Sequence, residues 1–262
     1  MPITPPAANT VVYPDLAGKV AVITGGSGAI GAASALGLAA SGVAVCVVGR
    51  NQGTLDAVCD QVRSRGGRAI AIAADCRVEA DVHRLRDQVG STLGTPDILC
   101  AFAGGNGMPL PTHTETAEHW RQVTDSELTS TFVTIATFLP SMIERHSGVI
   151  VTMASAAARQ AAKSSAAYAA AKAGVIALSR HLASEYAPAG IRVNCLAPSA
   201  IENDKMRNHT TDPQRHALAA AFPLGRIGQP EDVAAAAVVL ASQQASWITG
   251  TTLDIAGGKV ML

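Results

Sequence analysis

Short β-branched runs alternate with longer alanine-rich stretches along almost the whole chain. The runs at 19–24 (KVAVIT), 43–48 (VAVCVV), 68–74 (RAIAIAA), 97–103 (DILCAFA), 148–153 (GVIVTM), 191–196 (IRVNCL) and 250–255 (GTTLDI) are mostly apolar at consecutive positions. That pattern predicts strands covered on both faces. The stretches between them, at 28–41, 55–65, 79–93, 116–145, 164–186 and 233–242, predict helices. Pro140 is expected to kink the longest of these. Gln229-Pro230-Glu231 opens the last, with proline where a first turn tolerates it. Strand–helix alternation with right-handed crossovers predicts an α/β fold: a doubly wound parallel sheet of about seven strands with helices on both faces.

No internal repeat and no linker rich in Gly, Ser or Pro divides the chain, so 16–262 reads as one domain. Residues 1–15 read as a flexible tail, with three prolines in the first ten positions. The polar, irregular segment 199–222 is expected to act as a lid over a cleft.

Composition narrows the partners. Lys plus Arg equals Asp plus Glu at 20 each, which gives no support to a nucleic-acid or anionic-membrane partner. The hydrophobic share is 48% but the aromatic share only 3%, so the core has to be Ala, Val, Leu and Ile. No apolar run reaches membrane-spanning length, and the N-terminus lacks the charged and apolar regions of a signal peptide. The five cysteines form no C-x-x-C pair and their number is odd, against a disulfide framework or a zinc site. His113, His119, His146, His181, His209 and His216 show no metal spacing, so no metal is expected. A cytoplasmic protein is the expectation.

Three patterns carry chemistry. The turn TGGSGAIG, Thr24 to Gly31, follows the first strand and opens the first helix, where free N–H groups and the helix dipole suit a pyrophosphate. The second strand ends in Gly49-Arg50-Asn51, with no Asp or Glu between Gly42 and Gly53. A carboxylate there would hold ribose hydroxyls, whereas Arg50 suits a 2′-phosphate, so NADP(H) is favoured over NAD(H). In SSAAYAAAKAG, Tyr168 and Lys172 are four apart and share a helix face among small residues. Read alone, that stretch also fits a packing helix with a snorkelling lysine.

With these and Ser155, thirteen residues before Tyr168, the chain resembles the classical short-chain dehydrogenase/reductase family from about Leu16 to Gly258. Thr24, Gly25 and Gly31 match the family's glycine turn, with Ala29 at its usual middle glycine. The run PLGRIGQPEDVAAAAVVLAS…ITGTTLDIAGG looks like the family's ending. The resemblance implies a Rossmann-type fold and a catalytic Ser155, Tyr168 and Lys172. It implies cofactor contacts at Gly25, Ser27, Gly28, Ile30 and Gly31, at Arg50 and Asn51, and at Asp75 and Cys76 by the adenine. Further contacts are implied at Ala103 and Gly104, at Tyr168 and Lys172, and at Pro198, Ile201 and Asn203. It also implies a homodimer or homotetramer built on the 116–145 and 164–186 helices.

The chemistry stands on its own terms. Hydride transfer to a carbonyl leaves an alkoxide that takes a proton. An ammonium beside a phenol favours the phenolate, so a Tyr–Lys pair can give and recover that proton. A serine hydroxyl can bond the substrate oxygen as its charge changes.

Departures from the family pattern matter as well. Ala101-Phe102-Ala103-Gly104 stands where Asn-Asn-Ala-Gly is usual, which predicts altered sheet packing. Aligning Trp120 and Phe132 with the family's W…NxxGxF stretch puts Glu127 where its catalytic asparagine lies; a glutamate there relays protons or pairs with Lys172, and an exposed helix charge fits the sequence equally well. Pro198-Ser199 replaces Pro-Gly, and Asn203 replaces a threonine that touches the nicotinamide carboxamide. The leading reading is an NADP(H)-dependent oxidoreductase acting on a small-molecule carbonyl or secondary alcohol. The alternative is a nucleotide-binding protein without redox turnover, resting on Glu127 and the missing asparagines.

Overall fold

The computed structural model describes residues 11–105 and 108–261. Seven parallel strands form one sheet: β1 (Val20–Thr24), β2 (Ala44–Gly49), β3 (Ala69–Ala73), β4 (Ile98–Ala101), β5 (Gly148–Met153), β6 (Ile191–Pro198) and β7 (Thr252–Ile255). Their spatial order is β3-β2-β1-β4-β5-β6-β7. The order reverses between β1 and β4, where Ala21 pairs with Ile98 and Thr24 with Ala101. A crevice opens at such a switch point, at the carboxyl ends of the strands.

The continuous apolar runs have the expected cause. Alternate residues of each strand enter different cores. Ala21, Ile23, Val45, Val47, Ile98 and Cys100 pack in one core with residues of α1 (Ala29–Ala40), α2 (Gln52–Ser64) and α9 (Pro230–Ala241). Val20, Val22, Cys46, Val48 and Leu99 pack in the other, with α3 (Glu79–Thr92), α5 (Ser130–Glu144) and α6 (Ala166–Tyr186). Alanine and valine on facing elements let these layers approach closely, which compensates for the scarcity of aromatics.

The structure differs from the periodicity in two places. The stretch expected as one helix over 116–145 is α4 (Ala117–Thr124), a wide five-residue π turn (Asp125–Thr129) and α5. Pro140 lies within α5. A π turn admits one extra residue and re-aims the side chains around it, which the apolar period of the flanking turns does not record. The lid segment contains two helices, α7 (Asp204–His209) and α8 (Asp212–Ala220), started by side-chain caps from Asn203 and Thr211. Of the segment 1–15, residues 1–10 lie outside the described residues. Tyr13 N–H donates to Ser41 Oγ at 3.1 Å, and Pro14–Leu16 makes a short 3-10 turn that buries Leu16 fully.

One fold prediction arises at the start of α9. Asp232 accepts from Gln229 N–H at 2.7 Å and from both terminal nitrogens of Arg226 at 2.6 and 2.8 Å. The Arg226 guanidinium chiefly holds its carboxyl below the ordinary 3.8. Asp232→Ala is expected to cost roughly 1–2 kcal/mol at neutral pH, read as a lower urea midpoint. A depressed native value means that this stability is present above the unfolded value and lost as pH falls through the folded one. The gap between wild type and variant therefore narrows in acid.

Candidate functional site

A cleft of about 1020 Å³ lies at the carboxyl ends of β1, β2, β4, β5 and β6. Its first wall is the glycine turn. Gly25 has φ +66, and a Cβ there would sit 2.7 Å from the Phe102 carbonyl oxygen. A Cβ on Gly31 would run into the Gly25 carbonyl. The turn therefore brings bare backbone to the start of α1. Gly28 caps that helix without a side-chain bond, so the first-turn amides are left to a ligand. The loop after β4 is held from β1. Thr24 Oγ1 accepts from the Phe102 and Ala103 amides at 3.0 and 3.1 Å.

Gly25, Ser27, Gly28, Ile30, Gly31 and Arg50 all line the cleft. Ser27 Oγ would lie 3.4 Å from a Cβ on Gly49, so hydroxyl and strand end are neighbours. Asn51 is the exception among the expected cofactor contacts. It lies outside the cleft lining and caps α2, its Oδ1 accepting from Thr54 N–H at 3.2 Å. An asparagine placed just before a helix satisfies an orphan amide there.

Asp75 and Cys76 line the next stretch. Arg77 grips the Asp75 carboxylate with Nη2 at 2.6 Å and Nε at 3.0 Å, and that hydrogen bonding keeps the carboxyl below its usual range. Burial pushes the Cys76 thiol up to about 11, leaving it an inert packing group. The five cysteines are all free and buried.

The same cleft gathers the reactive side chains. Ser155 follows β5 in extended backbone, its Oγ accepting from Ala157 N–H at 3.2 Å. Tyr168 and Lys172 occupy successive turns of α6, with Lys172 Nζ 5.8 Å from the Tyr168 ring centre. Ser165 Oγ accepts from the Tyr168 amide itself at 3.2 Å, so the helix cap also seats the phenol. Lys172 Nζ donates to the Met153 carbonyl at 2.8 Å and pairs with Glu127 Oε2 at 2.9 Å. Both charged side chains are sealed, at 3% and 0% exposure. Ala103, Gly104, Pro198, Ile201 and Asn203 also line the cleft. Asn203 spends much of its amide locally: Oδ1 accepts from Met206 N–H at 2.8 Å, and Nδ2 donates to the Ile201 carbonyl at 3.1 Å. A second Nδ2–H remains for a ligand acceptor.

Two carboxylates escaped sequence reasoning. Glu202, in the loop after β6, is 4% exposed and meets Arg215 of α8 at 2.7 Å, tying the lid to the cleft edge. Glu115 accepts from the Ala167 amide at 3.3 Å, a second seat for the start of α6, and meets His119 Nδ1 at 2.9 Å. Neither follows from local pattern, because the partner of Glu115 is 52 residues away. Among the described residues no group of three or more His, Cys, Asp or Glu side chains is placed to hold a metal ion. No helix among them is long and apolar enough to cross a membrane.

The arrangement sets a phenol, an ammonium, a hydroxyl and a cradle of backbone amides along one cleft. Comparison with known proteins shows what the whole chain is similar to. A family profile described as Enoyl-(Acyl carrier protein) reductase matches residues 25–259. The 3beta-hydroxysteroid dehydrogenase 1 of Eggerthella lenta is 38% identical over 254 residues, spanning 95% of this chain and 97% of the relative. The 7alpha-hydroxysteroid dehydrogenase of Escherichia coli is 35% identical over 245 residues, spanning 94% and 95%. A crystal structure of a 3-oxoacyl-[acyl-carrier protein] reductase with bound NAD from Brucella melitensis superposes with a TM-score of 0.89 at 30% identity, covering 100% of this chain and 99% of that one.

Proposed function

The chain belongs to the classical short-chain dehydrogenase/reductase family, oxidoreductases of CH–OH and C=O groups that use NAD(P). On that premise we propose that Ser155, Tyr168 and Lys172 interconvert a carbonyl and a secondary alcohol, with NADP(H) favoured over NAD(H). The observation that carries the reading is the meeting of all three side chains in the cleft that the glycine turn opens.

The cleft fits such a cofactor by its own features. Backbone crowding at Gly25 and Gly31 leaves no room for a Cβ, and the start of α1, uncapped by any side chain, lines the cleft. Gly25, Ser27, Gly28, Ile30 and Gly31 would hold the pyrophosphate, and Asp75 and Cys76 would border the adenine. Ala103, Gly104, Pro198, Ile201 and Asn203 would hold the nicotinamide half. The chemistry supplied by a bound nicotinamide is hydride transfer. Tyr168 gives a proton to the nascent alkoxide in reduction and takes one from the alcohol in oxidation. Ser155 hydrogen-bonds the substrate oxygen, and Lys172 holds its charge beside the phenol.

The NADP(H) preference is supported by Arg50, exposed at the cleft edge, and by β2 ending without a carboxylate. Losing a charge-assisted hydrogen bond of about 1.5–3 kcal/mol predicts that Arg50→Asp raises KM for NADPH roughly 10- to 100-fold. KM for NADH is expected to move far less. Equal KM values for both cofactors in the wild type would remove this part of the reading.

A dimer or tetramer through the α4–α5 and α6 faces belongs to the same proposal, supported by Trp120 and Phe132, which stand 44% and 53% exposed on this chain. A cytoplasmic location is supported by the free thiols. The test of the reaction is NADPH and NADH consumption over a carbonyl panel that includes 3- and 7-keto steroids, cyclic ketones and 3-oxoacyl thioesters. Absence of turnover across that panel, with cofactor bound, would count against the assignment.

A further inference from the structure

Lys172 ends among groups from several elements. Its Nζ donates to the Met153 carbonyl at the end of β5 at 2.8 Å and meets Glu127 Oε2 at 2.9 Å. The other oxygen of Glu127 accepts from the Gly105 amide at 2.8 Å, in the loop after β4. Ser126 Oγ stands 3.3 Å from that same oxygen. Gly104 has φ +140, and a Cβ there would collide with the Glu127 carboxylate. Glu127 is wholly buried, and it is turned inward by the π turn between α4 and α5. One carboxylate thus ties the long helix, the β4 loop and α6 together.

We infer that Glu127 is a positioning residue for the reaction: it fixes the Lys172 ammonium beside the Tyr168 ring and anchors the Gly104–Gly105 backbone at the edge of the cleft. This rests on the Ser155–Tyr168–Lys172 reading. An ammonium carries three N–H bonds. One is donated to the Met153 carbonyl, and Glu127 Oε2 meets the ammonium at 2.9 Å as an ion pair. A neutral side chain holding a relay water would leave the lysine charge uncompensated. A buried glutamate balances it directly, and two charges withdrawn from water are tolerated only with this kind of close, hydrogen-bonded geometry. Because Gly105 and Lys172 bind opposite oxygens of one carboxylate, both length and charge matter. Among the described residues the titrating groups beside the pair include Tyr168 on α6 and the Cys195 thiol on β6, which burial pushes up. The loop after β4 presents the Gly105 amide, β5 the Met153 carbonyl and the π turn the Ser126 hydroxyl.

The test uses the full chain with Glu127→Gln, Glu127→Asn and Glu127→Asp. It measures NADPH binding by fluorescence titration, kcat and KM on a turned-over ketone, and the pH profile of alcohol oxidation. Glu127→Gln is expected to bind NADPH while kcat falls roughly 10- to 100-fold, as displacement of a catalytic group by about an ångström does. The rising limb of its oxidation profile moves to lower pH, because the negative charge that balances Lys172 is gone. Glu127→Asn, one methylene shorter, is expected not to rescue. Glu127→Asp keeps the charge but not the reach, so it loses kcat with the wild-type limb. It carries the test if the amide variants do not fold. Variants that bind NADPH and show wild-type kcat and an unmoved limb would overturn the inference. Wild-type turnover by Tyr168→Phe would instead overturn the reading beneath it.

Discussion

Replacing Tyr168 with phenylalanine is expected to lower kcat by roughly 10²- to 10⁴-fold, the usual contribution of a positioned acid or base. The change removes one oxygen. The ring remains at the cleft, one helical turn before Lys172, and the cap from Ser165 to the backbone amide of residue 168 is untouched. Cofactor affinity is therefore expected to hold, since the change leaves the backbone cradle at Gly25 to Gly31 intact. Thermal stability is expected to change little, because Tyr168 is only partly buried. The measurement pairs single-turnover rates with an NADPH titration. Binding preserved with turnover lost places the defect in the chemical step, whereas a parallel loss of both would show that the phenol serves the cofactor instead.

Lys172→Met is expected to lose turnover to a similar extent and, unlike Tyr168→Phe, to destabilise the fold by about 3–5 kcal/mol. The reason is the partner left behind. Glu127 is fully enclosed, and losing the ammonium removes the cation that meets its Oε2 at 2.9 Å. A domain is stable by only about 5–15 kcal/mol, so this one change consumes a large fraction of the total. Guanidinium denaturation of the two variants separates the effects. Adding Glu127→Leu to Lys172→Met is expected to recover most of the stability and none of the activity, because an apolar pair of similar volume fills the space without a buried charge. Equal stability of Lys172→Met and wild type would mean that water reaches Glu127.

The two predictions differ because the two residues were legible to different degrees. Tyr168 and Lys172 could be paired from their spacing alone, since a four-residue step returns to the same helix face. Ser155 was singled out by the family resemblance, whereas the glycine turn was readable from its place between the first strand and the first helix. Arg50 could be placed likewise, from the end of the second strand. Asn51 could not: a residue beside a helix start is drawn to the nearest orphan amide, and here that amide is Thr54 N–H. Asn203 shows the same competition, with its cap to Met206 set against a role toward a ligand.

Glu127 marks the boundary of what a linear reading reaches. The alignment of Trp120 and Phe132 brought it near the site, but an exposed helix charge fitted the sequence equally well. Only the π turn between α4 and α5 aims it inward, and a one-residue widening leaves no trace in an apolar repeat. Glu115 and Glu202 are less visible still, since a lone glutamate gives no sign that a helix start or a lid arginine will meet it from far along the chain.

The order of apolar runs by itself determined a parallel doubly wound sheet, because strands covered on both faces have no polar alternate positions and must be joined by crossover helices. The same order put the glycine turn, Ser155 and the Tyr168–Lys172 pair at strand ends and on one helix face. Tertiary structure alone decided which charges are buried against one another. A carboxylate becomes a partner rather than a solvated side chain only when packing removes its water, and that packing joins residues that no local period connects.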